Sequence, residues 1–182
     1  DRLIGILRAM SEASRVERAI ASAEAEDFDL AELVRGSAGA YRDLIAPRRL
    51  ELDAPSSRLA FHGAPDLIAQ ALDKLIDNAR SFTPADGWIR LALVRADDSV
   101  ELAVANQGPP LPERMGERLF DSLVSVRDPR AQPDASPHLG LGLFIVRLVA
   151  ELHGGEAVAA NLPDGSGVEF RLRLRGMARA RL

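Results

Sequence analysis

The sequence has no cysteine among its 182 residues, which excludes disulfide cross-links and thiolate metal sites. A reducing compartment such as the cytoplasm suits a chain of this kind. Long hydrophobic runs are also missing, because no uninterrupted apolar stretch approaches the roughly 20 residues of a membrane-spanning helix. Positive charge is not in excess: the formal net charge is −4. This balance argues against a nucleic-acid partner, since proteins that bind nucleic acids carry a basic surface.

The chain does contain enough apolar material for one substantial core. Apolar residues make up 47% of it, as in soluble globular domains. Its length suits one domain of about 150 residues with a short attachment. A helical pattern is already under way at Asp1, so we expect the chain to be part of a longer protein.

Hydrophobic periodicity predicts an α+β fold. Apolar residues every three to four positions predict helices, and short apolar runs between turn residues predict strands. The predicted helices cover residues 1–26, 30–45, 65–82, 112–120 and 141–152. The predicted strands cover residues 49–52, 58–61, 88–94, 100–104, 156–160 and 168–175. This order predicts a two-layer α/β sandwich, with helices packed on one face of a mixed β-sheet.

Three polar segments interrupt this pattern, and the first lies on the helix predicted for residues 65–82. Asn78 shares a helix face with Lys74, four residues before it, and with Ser81, three residues after it. A polar stripe of this kind is commonly a solvated helix face. The alternative is that the Asn78 amide oxygen binds Mg²⁺, which prefers oxygen ligands and leaves coordination positions for phosphates.

The other two segments are turns. Asn106-Gln107-Gly108 ends a predicted strand, where Asn and Gly are common in plain turns, but a side-chain acceptor there also suits the exocyclic amine of adenine. Gly140-Leu141-Gly142 precedes a predicted helix. The first N–H groups of that helix have no partner within it and favour an anion such as a phosphate.

In this order and spacing, the three segments resemble the N, G1 and G2 boxes of the catalytic ATP-binding domain of bacterial sensor histidine kinases. Gyrase-, Hsp90- and MutL-type ATPases share this fold. Residues 118–121, together with Val124, resemble the F box between the second and third segments. The run 141–155 is especially close to the kinase form. The resemblance covers about residues 27–175.

The resemblance implies ATP and Mg²⁺ as ligands and assigns a role to each matching residue. Asn78 matches the Mg²⁺-binding asparagine, and Gly108 matches a glycine of the G1 box. Phe120 matches the aromatic residue that anchors a lid, which would be residues 125–137. The expected ligand-binding residues are Asn78, Asn106, Gly108, Phe120, His138, Gly140, Leu141 and Gly142, and the expected catalytic residues are Asn78 and Lys74.

Four positions depart from the usual family pattern. Lys74 stands where an asparagine is usual, and Ser81 where a basic residue often contacts the γ-phosphate. His138 replaces the first glycine of the G2 box. Asn106 replaces the usual adenine-binding aspartate, so its hydrogen bond lacks charge assistance and weaker adenine binding is expected. We hypothesise that Lys74, the only lysine in the chain, supplies the charge that Ser81 lacks.

The resemblance also implies a reaction, the transfer of the γ-phosphoryl group of Mg-ATP to a histidine. None of the three histidines has the His-Glu-x-x-x-Pro context of a phospho-acceptor, so we expect the acceptor upstream of Asp1. His153 falls in the last turn of a predicted helix, where a histidine complements the helix dipole, and is predicted to be structural.

The domain organisation and partners follow from the same resemblance. Residues 1–26 are expected to end a dimerisation hairpin, residues 27–176 to form the catalytic domain, and residues 177–182 to be a tail. The expected partners are the upstream dimerisation domain, a response regulator and a second copy in a homodimer. The expected location is the cytoplasmic part of an inner-membrane sensor.

Two other functions remain open from the sequence alone. The four unusual positions favour a degenerate nucleotide-binding signalling module with little or no kinase activity. An ATPase of the gyrase or Hsp90 type is disfavoured, because those proteins have a glutamate base where Lys74 stands. A protonated lysine cannot accept a proton from water.

Overall fold

A computed structural model of the protein describes residues 11, 14–15, 18–112, 119–121 and 141–177. The helices are α1 (Leu30–Ile45), α2 (Pro65–Phe82) and α3 (Gly142–Leu152). The strands are β1 (Glu26–Asp29), β2 (Arg49–Asp53), β3 (Ala60–Gly63), β4 (Trp88–Ala96), β5 (Ser99–Gln107), β6 (Glu156–Asn161) and β7 (Gly167–Leu174).

Five strands form a mixed sheet in the order β2-β4-β5-β7-β6, in which only the β2–β4 pair is parallel. Helix α1 packs on β2 and β4, α2 on β5, and α3 on β6 and β7. Ile89 and Leu91 are fully buried, whereas Arg90 between them lies on the outer face and pairs with Glu51 at 3.0 Å. The predicted sandwich, with helices on one face of a mixed sheet, is confirmed.

Helix α1 begins at a side-chain cap. The Asp29 carboxylate accepts hydrogen bonds from the N–H groups of Ala31 at 3.0 Å and Glu32 at 3.3 Å, and from Leu59 on the neighbouring chain segment at 3.0 Å. These bonds, that from Leu59 above all, lower the pKa of Asp29. At the other end of α1, the Tyr41 hydroxyl donates to Asp73 of α2 at 2.6 Å and joins the two helices.

Helices α2 and α3 run antiparallel. Ala64, just before α2, meets His153, just after α3, whereas Lys74 in the second half of α2 meets Gly142 at the start of α3. The α2 face turned to the core is apolar, with its buried residues at helical spacing. They are Leu67, Ile68, Ala71, Leu72, Leu75, Ile76 and Ala79. Because Lys74 lies at the level of Gly142, the part of α2 after Lys74 extends beyond the first residue of α3.

The predicted helix over residues 1–26 is too long at its carboxyl end. In the described part of that region, helical structure ends at Ala21, and strand β1 starts at Glu26. Strand β1 pairs antiparallel with β3, and Phe28 packs edge-on against Phe61 at 5.9 Å between ring centroids. The sequence pattern missed β1 because it holds one apolar residue among three acidic ones, and its partner lies more than 30 residues away.

Two smaller differences concern element limits. The strand predicted at residues 58–61 lies at Ala60–Gly63 instead. Of the helix predicted at 112–120, residues 113–118 lie outside the described residues, and residues 119–120 form a turn. Among the described helices, none combines the length and apolar character that a membrane span requires.

Candidate functional site

The amino end of α3 is suited to an anion. No side chain of the described residues caps this helix, and its first turn carries no acidic residue. The first N–H groups of a helix lack partners within it, and the helix dipole adds a partial positive charge there. Gly142 is the first helical residue, and Leu141 before it is 7% exposed and helical in conformation. The end of α3 thus offers backbone donors at a fixed position.

The side chain of Lys74 lies against this helix end. A Cβ atom placed on Gly142 would be 3.8 Å from Cδ and 3.9 Å from Cβ of Lys74, which is ordinary van der Waals contact. The apolar stem of the lysine therefore covers the first residue of α3. Its ammonium group is two bonds beyond Cδ, at the end of a flexible stem.

Asn78 follows Lys74 by one turn on the same face of α2. Four helical residues correspond to about 6 Å along the axis. Because the two helices run antiparallel, this step carries Asn78 past Gly142, toward the space in front of α3. The Asn78 side chain is half-buried. The structure thus places Lys74 against Gly142 and Asn78 one helical turn further along α2.

Asn106 and Gly108 lie beside the last turn of α2. A Cβ atom on Gly108 would be 2.7 Å from the carbonyl oxygen of Phe82 and 3.2 Å from Nδ2 of Asn106, so only glycine fits there without displacement. Asn106 is 2% exposed, and its Nδ2 donates to the Gln107 carbonyl at 3.2 Å. Among the described residues, none donates a hydrogen bond to Oδ1 of Asn106.

Lys74, Asn78 and Phe82 therefore form a row along one face of α2, which we call the α2 row. Lys74 marks the end next to the α3 amides, Asn78 lies one turn further, and Phe82 adjoins Gly108 and Asn106. Eight helical residues span about 12 Å. The backbone N–H groups of the α3 start lie at one end of this row, and the Asn106 amide lies at the other.

Phe120 lies in the core rather than in an open pocket. It is 2% exposed and packs edge-on against Phe170 of β7, with 6.3 Å between ring centroids. The next residue, Asp121, pairs with Arg147 of α3 at 2.9 Å. The short segment 119–121 is therefore fixed both to the sheet and to α3, as an anchor of a neighbouring segment would require.

The remaining predicted residues are His138, Gly140, those of the predicted lid, and Ser81. His138 and Gly140, and the lid predicted at 125–137, lie outside the described residues. The Ser81 hydroxyl donates to the Asp77 carbonyl of its own helix at 2.8 Å.

Two histidines have contacts that sequence reasoning missed. His153 is fully buried: its Nδ1 lies 2.7 Å from the Val149 carbonyl, and its Nε2 accepts from the Ala64 N–H. Burial lowers the pKa of His153. It is structural as predicted, but as a neutral buried group rather than a charge on the helix dipole. His62 lies 2.9 Å from Asp27. No local pattern in the sequence predicts either contact.

The region that holds these residues matches a known protein family. Residues 63–176 match the family described as histidine kinase-, DNA gyrase B- and HSP90-like ATPase. The chain belongs to this ATPase family. The matched region starts directly before α2 and ends just after β7, so it contains every described residue of the α2 row and both turns beside it.

The curated relatives of this ATPase domain include bacterial sensor proteins. The chain is 35% identical over 146 residues to sensor protein CreC of Escherichia coli K12, a match that covers 80% of this chain and 30% of the relative. It is 32% identical over 177 residues to sensor protein ChvG of Agrobacterium fabrum, covering 92% of this chain and 29% of the relative. The chain thus spans less than a third of the length of either relative.

Solved structures support the same assignment. The catalytic domain of histidine kinase ThkA in a nucleotide-free form superposes with a TM-score of 0.73 at 25% identity, and the match covers 85% of this chain and 99% of that one. Together with the family match, this similarity confirms the predicted histidine kinase type of ATPase fold.

The residues present fit a magnesium ion that is bound together with a nucleotide. Across the described ranges, no group of three or more His, Cys, Asp or Glu residues is placed to enclose a metal. Asn78 offers one amide oxygen, one helical turn along α2 from the level of the helix end that suits phosphates. Mg²⁺ commonly takes one or two protein ligands and completes its shell with waters and phosphate oxygens. A single asparagine is consistent with that mode and not with a cage made of protein alone.

Proposed function

We propose that this domain binds Mg-ATP along the α2 row and transfers its γ-phosphoryl group to a histidine of the same protein. The observation that carries the proposal is the order of groups along α2. Lys74 lies against the first residue of α3, Asn78 follows one turn later, and Phe82 adjoins the turn with Asn106 and Gly108. This order matches a molecule with phosphates at one end and a base at the other.

At the phosphate end, the N–H groups of the first turn of α3 donate to phosphate oxygens. The glycine at position 142 lets the chain approach them closely. Lys74 adds a full positive charge beside these donors. In phosphoryl transfer the protein acts mainly by positioning groups and neutralising charge, so a lysine at this place supports the reaction directly. Lys74 thereby replaces the basic residue that position 81 lacks.

Asn78 would hold the magnesium ion through its amide oxygen. When bound, the ion neutralises charge on the phosphates as the γ-phosphoryl group leaves. The chain's own part is to present one neutral oxygen at a fixed height on α2, between the Lys74 level and the base end.

At the base end, Oδ1 of Asn106 would accept a hydrogen bond from the exocyclic amine of adenine. Its Nδ2 donates to the Gln107 carbonyl, which sets the orientation of the amide. The contact is neutral, so it contributes less than a carboxylate would. Gly108 keeps this end open, because its missing side chain would otherwise occupy the space beside the Phe82 carbonyl.

In the transfer itself, an imidazole nitrogen of the acceptor forms a bond to the γ-phosphorus while the bond to the β–γ bridging oxygen breaks, and ADP leaves. We place the acceptor upstream of this chain, on a dimerisation hairpin that ends before strand β1, with the catalytic domain running from β1 to about residue 176 and residues 177–182 as a tail. The relatives are named sensor proteins, which supports a sensing role for the whole protein. As further parts of the proposal, a response regulator is the next acceptor, the whole protein is a homodimer, and this domain lies on the cytoplasmic side of a membrane sensor.

The test is incubation of the full-length protein with ATP labelled on the γ-phosphate. We expect acid-labile, base-stable label on the protein, as phosphohistidine gives. Lys74→Met keeps most of the apolar stem and removes the charge, and should lower the initial rate about tenfold or more, the effect of losing one charged contact. Arg80→Met removes an exposed cation from the same helix and serves as the matched control.

The outcomes separate the competing functions. Equal rates for Lys74→Met and the unmodified protein would exclude a role for Lys74 in the reaction. Tight ATP binding without any label on the protein would instead support the nucleotide-binding signalling module. Release of inorganic phosphate without protein label would support an ATPase of the gyrase or Hsp90 kind.

A further inference from the structure

The turn after β5 has an unusual shortage of backbone donors. Residues 109, 110 and 112 are proline, which has no N–H group. Leu111 therefore carries the only backbone N–H between residues 109 and 112. Within this segment, which borders the base end of the site, only Leu111 can donate a backbone hydrogen bond.

The side chain of Asn161, the last residue of β6, occupies that position. Its Oδ1 accepts from the Leu111 N–H at 2.7 Å, and its Nδ2 donates to the Leu111 carbonyl at 3.1 Å. One amide side chain thus binds both polar groups of one residue, as a neighbouring β-strand would. The contact joins residues 50 positions apart in the sequence.

The β6–β7 hairpin holds the other end of the same turn. The Gly108 N–H donates to the Ser166 carbonyl at 3.1 Å, and Asn106 pairs with Val168 of β7 in the sheet. Leu111 also packs its side chain against the core. The turn is therefore fixed at Gly108 by the backbone of the hairpin and at Leu111 by the side chain of Asn161.

We propose that Asn161 is a positioning residue for the base end of the nucleotide site. It acts through Leu111: by fixing that residue it sets the path of residues 109–112, which continue the turn from Gly108 at the base end. The inference rests on the proposed function, because it concerns how firmly the adenine side is held. It assigns a role in purine recognition to a residue on an edge strand that itself need not touch the nucleotide.

The chemistry of asparagine explains why this residue type stands there. An amide has an acceptor and a donor in one plane, which both polar groups of Leu111 require. Aspartate would accept from the Leu111 N–H but would set a negative charge against its carbonyl. Alanine would leave both groups to water. Asparagine, aspartate and alanine at position 161 therefore make two, one and no hydrogen bonds to Leu111.

The first measurement is amide hydrogen exchange of the chain, resolved by residue. In Asn161→Ala the Leu111 amide should exchange at least about tenfold faster, while Gly108 keeps its bond to the Ser166 carbonyl. Ser166→Ala is the matched control: it removes a hydroxyl bonded to Asp164 in the same hairpin but leaves the backbone carbonyl in place. It should leave the Leu111 rate unchanged.

The second measurement compares the affinities for Mg-ATP and for magnesium tripolyphosphate, which lacks the base. Losing one or two hydrogen bonds that fix the turn corresponds to about 3- to 10-fold weaker ATP binding. Tripolyphosphate binding should not change, because the phosphate end lies on α3. Asn161→Asp should fall between the unmodified protein and Asn161→Ala in ATP affinity.

The outcomes can be told apart. An unchanged Leu111 exchange rate, or equal weakening of ATP and tripolyphosphate, would overturn the role of Asn161. If the unmodified protein binds ATP and Asn161→Ala binds it equally well, the inference fails while the proposed function stands. If the unmodified protein binds no ATP, the proposed function fails first, and this inference fails with it.

Discussion

The Nε2 atom of His153 accepts a hydrogen bond from the backbone N–H of Ala64 at 3.0 Å, and this bond joins the end of α3 to the start of α2. Nδ1 of the same ring lies 2.7 Å from the Val149 carbonyl, which fixes the hydrogen on Nδ1. The ring is fully buried and must be neutral to accept from Ala64. At the opposite end of the same helix pair, Lys74 meets Gly142, so one buried imidazole helps to set the register of the two helices that form the site.

Stability should therefore fall with acidification in a way that depends on His153. Burial lowers its folded-state pKa below the ordinary value of 6.5, so the unfolded chain binds more protons between the two values. The free energy of unfolding then decreases as pH drops through about 6.5 toward the folded pKa. His153→Leu should lose this dependence and be about 1–3 kcal/mol less stable at neutral pH, because Ala64 loses its acceptor. Urea unfolding at pH 7.5 and 5.5 measures both effects.

The control for this prediction is His62→Gln. It removes a partly exposed histidine from the adjoining strand and leaves the Ala64 bond intact. If the pH dependence disappeared in His62→Gln and persisted in His153→Leu, the assignment to the buried ring would be wrong.

Gly108→Ala should damage nucleotide binding more than its size suggests. The new methyl group would lie 2.7 Å from the Phe82 carbonyl oxygen, so the turn or the end of α2 must move. We expect a loss of about 1–3 kcal/mol in stability, as for other overpacked sites, and weaker ATP binding. Gly39→Ala in α1 is the matched control, because a Cβ there meets nothing within 4 Å. It should raise stability by about 0.5–1 kcal/mol.

Asn106→Asp should lower the stability of the free protein and raise its affinity for ATP. A carboxylate at this buried position loses the bond to the Gln107 carbonyl, so the free protein should melt at a lower temperature. It accepts more strongly from the adenine amine, and ATP binding should tighten about 3- to 10-fold. Isothermal titration with ATP and GTP checks both affinity and selectivity. Preference for GTP in the unmodified protein would contradict the adenine assignment.

The Arg147–Asp121 ion pair should contribute modestly. The two side chains are 33% and 49% exposed, and Arg147 also lies over the Phe144 ring at 5.2 Å. A double-mutant cycle with Arg147→Met and Asp121→Asn should give a coupling of about 0.2–1 kcal/mol, reduced by salt. Faster amide exchange at 119–121 in either variant would show that the pair fixes this segment to α3. Unchanged amide exchange, together with zero coupling at low salt, would show that the ion pair does not fix residues 119–121 to α3.

The sequence predicted the helices of the site well because their signals are local. Helix α1 has the predicted limits, and α2 does also, since apolar periodicity, a capping aspartate and prolines mark their ends. Strand β1 was missed because its pairing with β3 and the Phe28–Phe61 contact are tertiary. The hydrogen bond of His153 could not be predicted either, because its partner Ala64 is 89 residues away in the sequence.

The sequence indicated candidate site residues but not the contacts that hold them in place. Asn78, Lys74 and Gly142 were named from motif positions, and the structure adds the contact that brings the last two together. Asn161 carries no motif signal, because an asparagine at the end of a strand is typical of any turn. Its role follows only from the three prolines around Leu111 and the fold that sets the two residues side by side.

Calorimetric titration of the chain with ATP in the presence and absence of Mg²⁺, beside Asn78→Ala, tests whether this site binds Mg-ATP through Asn78. We predict saturable binding at one site per chain that weakens at least about tenfold without Mg²⁺. Asn78→Ala, which removes the proposed ligand oxygen, should bind weakly in both conditions and lose the dependence on Mg²⁺. Absence of binding by the unmodified chain, or a variant that binds Mg-ATP as tightly as the unmodified chain, would contradict the account.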